Sequence, residues 1–234
     1  MKKNRIYYFK GHALIFGLLL PAFLALSFII GRNIPVEVLT PGLLGMAVFF
    51  TATSIAPGVM PFETRGRTLE RLASAPVSTW AMFLGDVLAS FLFGLLISTV
   101  MIIVCLFLGV NIVNPLILGL SMILASFCFA AFGILLSVPP TDTPSSIMML
   151  ATVIKFPLIF ISGVFIPISE LPSWGVVVSS LSPLTYFTDL ARHSIQGTGY
   201  YPVALDLIAL LAFSAIFLIA GIKLHERTLP KRLQ

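Results

Sequence analysis

Charge is what this chain has least of. Asp, Glu, Lys and Arg together make up 10% of its 234 residues, against 58% hydrophobic residues and a mean hydropathy of +1.06. A soluble domain of that composition could not cover itself with polar surface, so the chain uses lipid as its solvent. Cysteine is nearly absent too, and Cys105 and Cys128 fall inside apolar runs, where they read as small packing residues and carry no information on redox compartment. His12, His193 and His225 lie in separate regions without a shared ligand spacing, which argues against a metal site; they read as interfacial polar residues. No lysine follows a glycine, so the phosphate-cradling loop G-x-x-x-x-G-K-[ST] is excluded and the chain binds no ATP of its own. The G-x-S-x-G and H-E-x-x-H signatures are missing, and Asp86 has only the distant Asp206 as an acidic companion, so a membrane hydrolase is disfavoured.

What is present is apolar length. A helix needs about 20 residues to cross the hydrocarbon core, and six runs qualify as spans: Ala13–Ile30, Leu39–Met60, Met82–Leu108, Leu116–Val138, Ile147–Ile166 and Val203–Ile222. The expected fold is an all-α integral membrane protein, one transmembrane domain over residues 1–234. Lys2, Lys3, Arg5 and Lys10 precede the first run as in a secretory signal, but the run is too long and lacks a small-residue cleavage site, so it reads as a span. Spans two and three are long enough to tilt, and Pro41, Pro57 and Pro157 mark expected bends.

Orientation follows from the loop charges. Lys2, Lys3, Arg5, Lys10, Arg65, Arg67, Arg71, Lys223, Arg227, Lys231 and Arg232 share one side, and the other holds Arg32 and Arg192. The positive-inside rule then puts both termini in the cytoplasm of a multi-pass plasma-membrane protein. A net charge of +5 is, on this reading, topology and affinity for anionic membrane lipid, and not a nucleic-acid footprint.

Two segments stand out against the apolar background. Phe62–Ser78, FETRGRTLERLASAPVS, is the charge-dense stretch between spans two and three. Leu69, Leu72, Ala73 and Pro76 recur at helical spacing, with Arg65, Arg67, Glu70 and Arg71 largely opposite, which predicts an amphipathic helix that is either a basic anchor or a docking face. The second segment runs from span five through Pro157, Ser162, Gly163, Pro167 and Pro172 to a fresh helix at Ser182-Pro183, where serine can cap and proline can take the first turn. Span five is therefore expected to break, leaving backbone groups that need partners. Gly175–Leu181 is too short to cross and is expected to dip in and return, and beyond it Asp189 and Arg192 are expected to pair at i, i+3 in an outer cap.

These residues resemble a known family, the type-2 ABC transporter permeases of the drug, lipid and polysaccharide export branch. GRTLERLASAPVS at Gly66–Ser78 is similar to the family's cytoplasmic segment, and FPLIFISGVFIPISELPSW at Phe156–Trp174 with SPLTYFTDLAR at Ser182–Arg192 is similar to its fifth span, outer re-entrant hairpin (here 167–197) and cap. The resemblance implies an exporter half: two such permeases, here a homodimer, each docking a separate ATPase subunit that holds ATP and Mg. It implies a coupling helix over 62–78, with Glu63, Arg65, Gly66, Arg67, Leu69, Glu70, Leu72, Pro76 and Ser78 meeting the ATPase. It also implies a translocation path or gate at Lys155, Pro157, Ser162, Gly163, Phe165 and Pro167. The competing readings are a passive channel and an assembly scaffold.

Lys155 departs from the family's apolar pattern. It lies about eight residues into span five, where an unpaired ammonium costs at least ~2.5 kcal/mol. It can snorkel to the interface, face a pore that takes an anionic headgroup, or pair with Asp86 near the start of span three. Substrate identity stays open.

Overall fold

A computed structural model describes residues 19–32, 35–65, 79–139 and 143–232. Among them every regular element is helical: α1 (Leu20–Arg32), α2 (Val36–Arg65), α3 (Thr79–Phe107), α4 (Pro115–Leu136), α5 (Pro144–Ile161), a 3-10 turn (Ile168–Glu170), α6 (Ser173–Ser179), α7 (Pro183–Gln196) and α8 (Val203–Arg232). Five of these, α2, α3, α4, α5 and α8, are long and apolar enough to cross a membrane. The first expected span is described only from its second half, as the 13-residue α1. The amphipathic helix expected over 62–78 lies outside the described residues from Gly66 on; Glu63 and Arg65 fall in the last turns of α2.

The span boundaries shift for identifiable reasons. α5 ends at Ile161, short of the expected Ile166, because Ser162 and Gly163 leave the helix. α8 runs past Ile222 to Arg232, its last turns being charged yet still helical. The prolines expected to bend helices do not end them: Pro41 and Pro57 stay inside α2, and Pro157 inside α5. Pro115, Pro144 and Pro183 instead open α4, α5 and α7, where a missing N–H costs nothing.

α2 is the axis of the bundle. α3, α4, α5, α7 and α1 all pack on it, while α8 packs mainly on α4 and α7. Its middle, including Leu44, Ala47, Val48, Phe49 and Ala52, is sealed from solvent. Phe49 meets Phe129 edge-on at 5.1 Å, and Phe129 meets Phe187 at 6.4 Å, so one aromatic chain ties α2, α4 and α7 together. The outward faces of α3, α5 and α8 keep large apolar residues exposed, among them Leu92, Met149, Val153, Phe160 and Ile208, as a surface solvated by lipid requires.

Close approach comes from small residues. Pro57 has no N–H to give Thr53, four residues earlier, and at that carbonyl α4 presents Gly133. A Cβ on Gly133 would lie 3.1 Å from Thr53 Cα and 3.2 Å from Thr53 O, and one on Gly94 would lie 2.8 Å from Ala52 Cβ. In lipid, such contacts replace the hydrophobic force that drives helices together in water. Gly133→Leu is therefore expected to cost about 2 kcal/mol by overpacking. Gly119→Leu, with open space around it, should be neutral or slightly stabilising. Thermal unfolding of both variants in one detergent gives the comparison, and equal losses would remove the α2–α4 contact as the cause.

Candidate functional site at the capped end of α5

Where α5 stops, the chain turns back through irregular backbone. Ser162 ends the helix and Gly163 follows at φ +74°, a left-handed conformation that glycine adopts without Cβ strain. Past Phe165 and Pro167 come the 3-10 turn and the seven-residue α6 over Ser173–Ser179, so the apolar stretch after Gly175 is helical but too short to cross. The freed carbonyls find side-chain donors on α7. Thr188 Oγ1 donates to Ser162 O at 3.0 Å, and Arg192 Nη2 donates to Gly163 O at 2.7 Å. The same helix holds the end of α6, Thr185 Oγ1 reaching Ser179 O at 2.6 Å and Tyr186 Oη reaching Ser180 O at 2.9 Å. Burial pushes the Tyr186 hydroxyl's pKa up, with the Asp206 carboxylate adding to it, which keeps that donor protonated.

Two expectations about this cap are corrected. Ser182 precedes α7 but its hydroxyl makes no capping bond; it points toward Leu158 O on α5 at 3.5 Å. Asp189 and Arg192 do not form an ion pair. Asp189 accepts the backbone N–H groups of Tyr200 and Tyr201 at 2.8–3.0 Å, fastening the loop that leads to α8. Backbone groups that have lost their helical partners are costlier to leave unmet than an i, i+3 pair is to forgo. Burial pulls the Arg192 pKa down and the carboxylates of Asp189 and Glu170 oppose it; the guanidinium stays charged.

Lys155 is 4% exposed and packs toward α2, where its Nζ donates to Ser54 Oγ at 3.0 Å. Its bond goes to Ser54 of α2 and not to Asp86, which lies on α3. Ser54 also donates to Phe50 O. The remaining expected gate residues separate: Ser162 and Gly163 are buried in the turn, Pro157 is exposed on α5, and Phe165 is half-buried and stacked on Phe160 at 5.3 Å. Pro167 lines cavities beside Arg192. The expected docking residues Gly66, Arg67, Leu69, Glu70, Leu72, Pro76 and Ser78 lie outside the described residues.

Polar residues that sequence reasoning passed over sit at both ends. His225, read as interfacial, is 1% exposed. Its ring stacks on Phe83 of α3 at 4.5 Å, and its Nε2 lies 3.0 Å from Ile134 O and 3.1 Å from Ser137 Oγ at the end of α4. The signal was available, since His225 falls three residues after the fully buried Ile222 and so on the same helix face. Asp206, in the first turn of α8, is fully buried, and neither carboxyl oxygen has a hydrogen-bond partner among the described residues.

A family profile described as ABC-2 type transporter matches residues 3–196 of this chain. The chain belongs to that family. The inner membrane transport permease YadH of Escherichia coli is 24% identical over 192 residues, covering 82% of this chain and 75% of YadH. The daunorubicin resistance ABC transporter permease protein DrrB1 of Streptomyces coeruleorubidus is 26% identical over 102 residues, 43% of this chain and 34% of DrrB1. The probable multidrug ABC transporter permease YbhR of Escherichia coli is 22% identical, with 65% of this chain and 42% of YbhR covered. This ABC-2 chain is thus a multi-pass membrane protein with the character of a transport permease.

The geometry sets the expected outcome of two substitutions in this ABC-2 chain. Thr188→Val strands Ser162 O and should cost about 1–3 kcal/mol. Lys155→Met removes a desolvated ammonium and leaves Ser54 its bond to Phe50 O, so stability should hold or rise. Combined with Asp86→Asn, Lys155→Met should be additive within about 0.5 kcal/mol, because the two side chains do not touch. Melting temperatures of the single and double variants test this, and a coupling well above that value would restore the charge pair.

Proposed function

We propose that this chain is the transmembrane permease subunit of an ATP-driven ABC exporter that moves a hydrophobic or amphiphilic substrate of drug, lipid or glycan type out of the cytoplasm. The observation that carries the reading is the family match over residues 3–196. The names of the relatives support the substrate range: daunorubicin resistance for one, multidrug transport for another. A separate ATPase subunit would hold ATP and Mg, consistent with a sequence that offers no phosphate-cradling loop.

In this reading the basic residues mark the cytoplasmic side, both termini included, and the capped end of α5 is the outer side. Six spans cross the plasma membrane, and the 3-10 turn with α6 forms an outer re-entrant hairpin. Residues 62–78 form the coupling helix. They join the end of α2 to the start of α3, so a push from a docked ATPase enters the axis of the bundle directly. Two copies pair, and the exposed apolar face of α5, with Met149, Val153 and Phe160, is the surface that a second permease or lipid would cover. Lys155, buried against α2, and the Ser162-Gly163 turn are the residues proposed for the path and its gate. A passive channel or an assembly scaffold is the alternative.

Coexpression with a candidate ATPase gives the test. The chain alone should hydrolyse no ATP, the pair should copurify and hydrolyse it, and Glu70→Arg should weaken association or transport while leaving membrane insertion intact. Conduction by the isolated chain in a planar bilayer would favour the channel, and an unaffected Glu70→Arg complex would return 62–78 to an anchor.

A further inference from the structure

Two cavities share Val38, Pro167 and Arg192 in their walls. One, of about 130 Å³, is an apolar slot formed by Leu39, Leu43, Met46 and Val164, between α1, α2 and the turn after α5. The other, of about 510 Å³, is a polar vestibule that carries Glu37 and Glu170 together with Asp189. Glu37 lies in the first turn of α2 and Glu170 ends the 3-10 turn, and both are exposed. Gln196 Nε2 donates to Glu37 O at 3.2 Å, which holds the α2 edge of the vestibule against α7.

Arg192 is 7% exposed and spends one N–H on Gly163 O, with no ion pair to any described residue. A guanidinium has five N–H donors in a fixed fork, so most of its capacity remains at the junction of slot and vestibule. Such a fork suits the two oxygens of a phosphate or carboxylate. A purely anionic ligand would nevertheless bring its charge among three carboxylates, those of Glu37, Glu170 and Asp189, and a purely cationic one would face a desolvated guanidinium. Asp189 is already committed to the Tyr200 and Tyr201 N–H groups, which leaves Glu37 and Glu170 as the free acceptors.

We propose that these two adjacent cavities, which share Arg192, together bind a zwitterionic amphiphile. Its anionic group lies on Arg192, its ammonium between Glu37 and Glu170, and the first carbons of its apolar chain in the slot. The chemistry is shared by the headgroup of a phosphatidylethanolamine-type membrane lipid and by a free exported zwitterion. The inference goes beyond the exporter reading and stands without it, because binding here requires no ATPase.

The experiment uses the purified full chain in detergent, with native mass spectrometry for occupancy and thermal shift for affinity. The probes are dihexanoyl phosphatidylethanolamine, dihexanoyl phosphatidylglycerol, and O-phosphoethanolamine as the head alone. The ethanolamine lipid should bind about tenfold more tightly than the glycerol lipid. Glu37→Gln/Glu170→Gln, two near-isosteric changes at exposed positions, should erase that preference, and Glu37→Gln alone, which keeps the Glu170 carboxylate beside Arg192, should weaken it while leaving the melting temperature of the unliganded protein unchanged. Binding of the head alone as tight as the lipid's would take the slot out of the site and overturn the amphiphile, and binding of the lipid only would support a membrane lipid as occupant. Equal affinity for both lipids in the wild type, or a preference that survives the double substitution, overturns the proposal. None of these outcomes depends on ATP hydrolysis, so failure here leaves the exporter reading standing.

Discussion

The rest of this structure depends on how the carbonyls freed at the end of α5 are satisfied. In hydrocarbon no water arrives to bond an exposed carbonyl, and each one left unmet costs several kcal/mol. Ser162 and Gly163 carry two such groups, and α7 answers them with Thr188 and Arg192. That demand accounts for a cap helix of low apolarity that is nonetheless almost wholly buried, since its polar side chains face the broken backbone and not solvent. It also fixes Arg192 between an apolar slot and a polar vestibule. A charged side chain recruited to satisfy a carbonyl thus becomes the one cation, among the described residues, in the wall of both cavities.

α2 imposes the second constraint. It is surrounded on more sides than any lipid-facing helix can be, and the close approaches at Gly94 and Gly133 let α3 and α4 come down onto its backbone. Lys155 belongs to this same core. A buried ammonium held by one hydroxyl is a costly arrangement for stability, and burial against the axial helix removes the snorkelling route to the interface. Stability alone gives no reason for a lysine at this position, which is why it stays among the residues proposed for the transport path.

The parts legible in the sequence were those governed by one segment's own composition. Apolar length located the five long helices to within a few residues at most ends, and the Ser-Gly pair marked the break where it occurs. The parts that were misread depend on partners remote in the chain. Arg192 bonds a residue 29 positions away, Lys155 one 101 away, and His225 one 91 away. A rule such as i, i+3 pairing sees only neighbours on the same helix, so it matched Asp189 with Arg192 and had no means to offer either a backbone partner. Pro157 was read as a bend, and the helix continues past it; the chain leaves helical geometry only at Ser162 and Gly163.

The contacts described at the two ends of the bundle differ in kind. At the capped end, four side chains of α7 bond backbone carbonyls of the segments before it, and Asp189 fastens the loop after it, so α5, α6, α7 and the start of α8 form one tied unit. At the opposite end Phe83 of α3 stacks on His225 of α8, beside a buried cluster of Met60, Phe83 and Ile222. Phe83 lies four residues after Thr79, where α3 emerges from the segment proposed to dock the ATPase. On the coupling proposed above, a displacement entering at Thr79 would reach His225 through Phe83, and the end of α4 through its Nε2, while the cap bonded by α7 lies at the other end of the bundle.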